Sequence, residues 1–214
     1  MHSKKIPVSR EGAPFIGLFS LASVVFAALD WAMPAVASLV AAAFALYFFR
    51  DPERVIPAGD NLIVSPADGR VIEIKHGSEG SLQGAGVIRI SIFMNIFNVH
   101  VNRSPISGSV ARIDYKEGAF WAADKGRAVL ENERNAVLLR TVDGFECTVV
   151  QVAGLIARRI VCWAEEGDVF KKGERFGLIR FGSRLDVYLP KDVQILTGKG
   201  QRVLAGQTVL ALRK

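Results

Sequence analysis

Histidine and cysteine are scarce here: three of the first and two of the second among 214 residues. Cys147 and Cys162 lack metal-ligand spacing and form no disulfide framework. Each lies in an apolar, strand-like run and reads as a small buried hydrophobe in a reducing, cytoplasmic setting. There is no glycine-rich phosphate loop, no HExxH, no GxSxG and no evident pyridoxal phosphate site. Neither an aromatic-basic RNA motif nor a DNA-reading helix is present. The formal charge of +6 therefore points to an anionic partner other than nucleic acid.

Charge itself is missing from two stretches. Residues 13–29, APFIGLFSLASVVFAAL, and 31–49, WAMPAVASLVAAAFALYFF, flank the single Asp30. Each is near the length a helix needs to cross a bilayer, and the pair does not fit a cleaved signal peptide. Lys4, Lys5 and Arg10 precede the pair and Arg50 and Arg54 follow it, so both ends belong on the cytoplasmic side of the cell membrane. Spanning the bilayer and dipping into one leaflet, an option suggested by Pro34, both remain open, and a buried hairpin in a soluble domain is the plainer alternative. Residues 1–50 are read as a membrane-associating helical hairpin and 51–214 as a second domain.

Past DPER at 51–54 the texture changes to short strands parted by glycine turns. Strands are expected at 61–65, 70–75, 86–94, 98–102, 109–115, 127–130, 135–141, 146–152, 156–163, 176–181, 184–189 and 208–213, with one further helical turn near 165–168. The fold class is mostly β (α+β), a compact barrel- or sandwich-like body with covered edges. Two internal repeats run through it. SPADGRVIEI at 65–74 matches SPISGSVARI at 104–113, and GDVFKKGERFGLIR at 167–180 matches GQRVLAGQTVLALR at 200–213. Such half-units recur in lipoyl- and biotinyl-type carrier domains, so a non-catalytic barrel module is one reading. The intervening segment offers Lys191 and Lys199 but no neighbouring Met, which counts against a carrier.

Candidate chemistry is sparse. His100 sits in SIFMNIFNVHVNRSP, an otherwise uncharged run before Arg103. It reads as a core histidine or as a proton-transfer group near neutral pH. Asp68 lies in PADGR, where Asp-Gly is also the ordinary filling of a tight turn. IRFGSRLDVY at 179–188 reads as a strand interrupted by Gly182 and Ser183, a bulge in most settings. An unhindered glycine carbonyl beside a hydroxyl also permits attack of the serine oxygen on the preceding peptide, given a basic histidine and an orienting carboxylate.

Together these segments resemble the phosphatidylserine decarboxylase proenzyme family. GERFGLIRFGSRLDVYLP is similar to its carboxy-terminal region, which splits inside a Gly-Ser pair. SPADGRV, FNVHVNRSPISG, ENERNAVLL and the hairpin followed by FFRDPER fit in order along nearly the whole chain. The chain looks like the compact form shared with archaeal-type enzymes. Many bacterial members have Leu-Gly-Ser-Thr where Phe181–Arg184 stand here, and a second histidine where Phe97 stands.

The resemblance implies self-cleavage between Gly182 and Ser183 into a 1–182 large chain and a 183–214 small chain that stay together as a heterodimer. It makes Ser183 the precursor of a covalent pyruvoyl group, His100 the proton-transfer residue and Asp68 its partner carboxylate. The pyruvoyl group would form a Schiff base with phosphatidylserine, lose carbon dioxide and yield phosphatidylethanolamine, with neither metal nor pyridoxal phosphate. Decarboxylation of an archaetidylserine-like ether lipid is the variant within the same class. An anionic membrane surface is the expected partner, higher oligomerisation stays open, and Arg103, Arg158 and Arg159 are headgroup candidates that read equally as a solvated basic face.

Overall fold

A computed structural model describes residues 7–77, 81–84, 86–118, 132–154, 159–180 and 183–214. The chain divides into two units, residues 1–53 and 54–214.

The first unit is a helical hairpin. α1 (Ala13–Ala28) and α2 (Ala32–Phe48) turn at Asp30, which adopts the left-handed φ of 58°. Pro34 falls in the first turn of α2, where a missing N–H costs no intrahelical bond, so it does not break the helix. The Ser23 hydroxyl donates to the Ala35 carbonyl at 3.0 Å across the pair. Residues on both sides of the base are tied by Ser9 N–H to Phe49 carbonyl and Asp51 N–H to Pro7 carbonyl bonds, each 2.7 Å. The segment Arg10–Ala28 is long and apolar enough to cross a membrane, and Ala32–Phe48 is a shorter apolar helix. α1 has no buried residue within this unit, and Leu18, Leu21, Val24, Val36, Leu39 and Val40 are all exposed.

The second unit is built of strands. They are β1 (Leu62–Val64), β2 (Gly69–His76), β3 (Val87–Met94), β4 (Val101–Arg103), β5 (Gly108–Lys116), β6 (Arg134–Arg140) and β7 (Glu146–Ala153), followed by β8 (Ile160–Cys162), β9 (Val169–Phe170), β10 (Arg175–Ile179), β11 (Ser183–Pro190), β12 (Gln194–Ile195), β13 (Arg202–Val203) and β14 (Val209–Leu212). They form an eight-stranded sheet, β13-β2-β3-β11-β7-β6-β5-β9, and two three-stranded sheets, β1-β14-β12 and β4-β10-β8. Every pairing is antiparallel. The mostly-β expectation holds. Alternation along β11 sends Leu185, Val187 and Leu189 into the main core, with Ile90, Ile92, Val149, Val137 and Leu139 from neighbouring strands. The opposite face is buried too and carries a paired Arg184 and Asp186, 2.8 Å apart.

The repeats read from sequence are repeats of structure. Ser65 and Ser104 each donate their hydroxyl to the carbonyl two residues on, at 2.7 Å in both copies. Their own carbonyls accept from Gly206 at 2.7 Å and Gly173 at 2.8 Å. Gly206 and Gly173 have φ of 74° and 80°, and a side chain on either would collide with the same residue, Ile56. The copies also bond each other reciprocally: Val64 N–H to Pro105 carbonyl at 3.0 Å, Arg103 N–H to Pro66 carbonyl at 2.9 Å.

The duplication extends to whole strands, because the repeated strands occupy mirrored places in the eight-stranded order about the β11–β7 pair. One half is β4 to β10, continuous in the chain. The other is β1 to β3 completed by β11 to β14. The continuous half is inserted between β3 and β11 of its twin, and Ser183 is the first residue after the insertion.

Two expectations differ in detail and a third is not tested. The strand expected at 127–130 lies outside the described residues. The stretch near 165–168 is a turn with Gly167 at φ 94°, not a helix. IRFGSRLDVY is not one faulted strand but the passage between β10 and β11, which belong to different sheets.

Candidate active site

One end of the eight-stranded sheet brings Ser183 and Asp68 together, and the segment that leads to His100 leaves from the same end. Ser183 opens β11, where it is opposite Met94 of β3 on one side and Ala153 of β7 on the other. On β2, Arg70 pairs with Phe93, so Asp68, just before that strand, lies at the same end. Two strand spacings separate Asp68 from Ser183, about 10 Å. The chain leaves β3 at Met94, turns through residues 95–99 and reaches His100 at the head of β4. Gly182, the other half of the expected cleavage site, lies outside the described residues.

Ser183 is fully buried, and its hydroxyl has no hydrogen-bond partner among the described residues. A buried hydroxyl without a partner forfeits its bond to water, so it marks strain or function. His100 is buried as well, with Nδ1 3.0 Å from the Asn98 carbonyl. A carbonyl oxygen only accepts, so this bond puts the proton on Nδ1 and leaves the basic lone pair on Nε2. The ring is thereby oriented by backbone at Nδ1.

Asp68 is engaged elsewhere. Its Oδ2 lies 2.8 Å from Arg54 Nη2, and its Oδ1 accepts the Ala205 N–H at 2.7 Å. Both charged side chains are largely buried, so the pair is little screened. Arg54 also donates to Gln207 Oε1 at 2.9 Å. The second bond of Asp68 has a twin: Ser107, its counterpart in the repeat, accepts the Lys172 N–H at 3.0 Å. Closing that turn therefore needs only an oxygen. The carboxylate charge, with its arginine, is what Asp68 adds.

A buried amide chain supports the same corner. Asn135 Nδ2 donates to Gln151 Oε1 at 3.1 Å, and Gln151 Nε2 donates to Asn102 Oδ1 at 2.9 Å. Asn102 Nδ2 in turn approaches the Met94 sulfur at 3.8 Å. Asn102 sits two residues after His100, and Met94 is the register partner of Ser183. The network thus ties the histidine's strand to the strand beside the serine.

Sequence reading missed Arg54, Asn98, Asn102 and Gln151 as site-forming residues. Arg54 and Asn102 fall inside quoted segments, FFRDPER and HVNRSP, but their partners are far away in the chain. The cysteines take no part. Burial pushes the Cys147 thiol well above its ordinary range, and burial also raises Cys162. Arg103 is buried, donating to the Gly173 carbonyl at 3.0 Å between the repeats, so it belongs to the scaffold and not to a solvated face. Arg159 is exposed, and Arg158 lies outside the described residues. Among the described residues no group of three or more His, Cys, Asp or Glu could hold a metal ion.

A family model described as phosphatidylserine decarboxylase matches residues 41–211. The chain belongs to the phosphatidylserine decarboxylase family. Relatives named phosphatidylserine decarboxylase proenzyme match along nearly their whole length. The one from Syntrophus aciditrophicus is 52% identical over 95% of this chain and 96% of its own. That from Geotalea uraniireducens is 47% identical over 99% of both, and that from Oleidesulfovibrio alaskensis 49% over 97% of this chain and 94% of its own. Membership in the phosphatidylserine decarboxylase family favours an enzyme over the carrier-module reading. Arg54, Asp68, His100 and Ser183 all fall inside the matched segment.

Proposed function

We propose that the chain is a self-processing phosphatidylserine decarboxylase, cleaved between Gly182 and Ser183. The observation that carries this reading is the Ser183 hydroxyl, buried and without a hydrogen-bond partner among the described residues, at the sheet end it shares with Asp68 and from which the chain runs on to His100. With Nδ1 bonded to the Asn98 carbonyl, His100 Nε2 is the nitrogen that takes the Ser183 proton. The freed oxygen attacks the Gly182 carbonyl, and the peptide becomes an ester. Removal of the Ser183 α-proton then expels the glycine carboxylate. The dehydroalanine left at 183 takes up water and loses ammonia, so the small chain begins with a ketone. Asp68, fixed by Arg54 and Ala205, adds negative charge that favours the transient imidazolium.

The surroundings of Ser183 suit such a group, since Ala153 and Met94 flank it and no hydrogen bond to its oxygen among the described residues has to be broken. A pyruvoyl group there supplies the electron sink that loss of carbon dioxide from an amino-acid headgroup requires. His100 remains available to return a proton to the headgroup carbon. The small chain stays bound, because β11 pairs with β3 along its whole length and with β7 along most of it. The apolar hairpin keeps the enzyme at the cytoplasmic face of the membrane.

The test is conversion of phosphatidylserine to phosphatidylethanolamine and carbon dioxide by the purified chain. Ser183→Ala should abolish it. Turnover by that variant at the unmodified rate would refute the assignment.

A further inference from the structure

We propose that the sheet end holding Asp68 and Ser183 is a lipid-facing rim, on which Phe97, Leu204 and Val55 dip into an anionic bilayer while Arg70 and Arg202 bind its headgroups. This rests on the phosphatidylserine reading above.

Three exposed apolar side chains come to this end from three separate segments. Phe97 is 60% exposed in the turn between Met94 and His100. That turn is stapled: Asn95 Oδ1 accepts the Phe97 N–H and Asn98 Oδ1 accepts the Asn95 N–H, both at 2.9 Å. Leu204, 46% exposed, follows Val203, which pairs with Gly69, so it sits beside Asp68. Val55, 82% exposed, follows Arg54, whose guanidinium holds the Asp68 carboxylate. A single exposed hydrophobe is ordinary on a protein surface, and three around one buried reacting group are not.

Charge identifies the occupant. Arg70 and Arg202 are exposed and directly opposite each other on β2 and β13, two positions back from the rim. Neither has an ion-pair partner among the described residues. Like charges facing across a ladder repel, and an anionic headgroup between them removes that repulsion. A second copy of the chain would bring a second arginine pair to the same face, whereas a bilayer supplies both apolar depth and negative charge. The substrate's acyl chains stay in that bilayer, so its headgroup must enter from the end where Ser183 lies.

The full chain carrying Phe97→Trp is reconstituted in vesicles of phosphatidylglycerol and brominated phosphatidylcholine. The comparison is Val142→Trp, at an exposed turn at the opposite end of the sheet. Fluorescence of Phe97→Trp above that of the unmodified chain should be quenched by the brominated lipid, and that of Val142→Trp should not. Leu204→Trp serves if Phe97→Trp fails to fold. In activity, Phe97→Ser with Leu204→Ser should lower the ratio of vesicle to soluble short-chain phosphatidylserine turnover about tenfold. Arg70→Gln and Arg202→Gln should each lower it about fivefold on anionic vesicles, an effect that added salt removes. Equal quenching at both positions with an unchanged ratio overturns the rim. A fluorescence at position 97 that is shielded yet unquenched assigns the face to a second copy and also overturns it. No turnover of the soluble lipid by the unmodified chain defeats the underlying function instead, while the quenching still decides the rim.

Discussion

The two halves of the second unit share a skeleton and differ at two points. Ser65–Ala67 and Ser104–Ile106 make the same hydrogen bond at the same 2.7 Å, and Gly206 and Gly173 close the same turns. Where one half has Ser107, the other has Asp68 with Arg54. Where one half joins β6 to β7 by the short turn Thr141–Phe145, the other breaks open between Met94 and Ser183 to admit its twin. Both departures lie at one end of the same sheet. What the halves share builds the scaffold, and where they part company the residues proposed to react sit.

The contrast can be broken most severely at Ser183. Ser183→Ala removes the only hydroxyl the proposed processing uses, so the chain should remain whole, as seen by electrophoresis. Next comes Asp68→Ser, which copies Ser107 into the other half. It keeps an acceptor for the Ala205 N–H but removes the charge, and processing should slow about 10²- to 10⁴-fold while the fold persists. Arg54→Ala in the same assay separates the carboxylate's charge from its positioning.

The amide chain gives a smaller effect. Asn102→Leu leaves the buried Gln151 amide without its acceptor, and denaturant unfolding should show a loss of about 1–3 kcal/mol. Slower processing in that variant would follow from a less well held His100. Smallest is Ser107→Ala, the scaffold-side control. Loss of the Lys172 bond should cost about 1 kcal/mol and leave processing unchanged. Equal loss of processing in Ser107→Ala and Asp68→Ser would erase the distinction between the halves.

Much of this contrast was legible in the sequence. The SPADG and SPISG copies and the paired glycines announced the duplication, and glycine turns with alternating strands announced the β body. The three residues proposed to react were read from the resemblance to a family, matched in order along the chain. What was hidden depends on contacts between distant segments. β9, β12 and β13 are two-residue pairings with no periodicity of their own. β4 begins at Val101 rather than 98 because the Asn95 and Asn98 side chains hold the preceding residues in a turn. The hydrogen bonds on Asp68 and His100 were equally beyond reach, since a carboxylate and an imidazole in one site suggest each other before they suggest Arg54 or a backbone carbonyl. The Gly-Ser dipeptide looked like a fault in one strand because the boundary between two sheets leaves no mark in local composition.

The intact mass of the purified chain tests the central claim most directly. Two species are predicted in place of one of 23.3 kDa. One should end at Gly182, and the other should span 183–214 and resist amino-terminal sequencing until its ketone is converted to an amine. A single uncut chain from a preparation that decarboxylates phosphatidylserine would contradict the account.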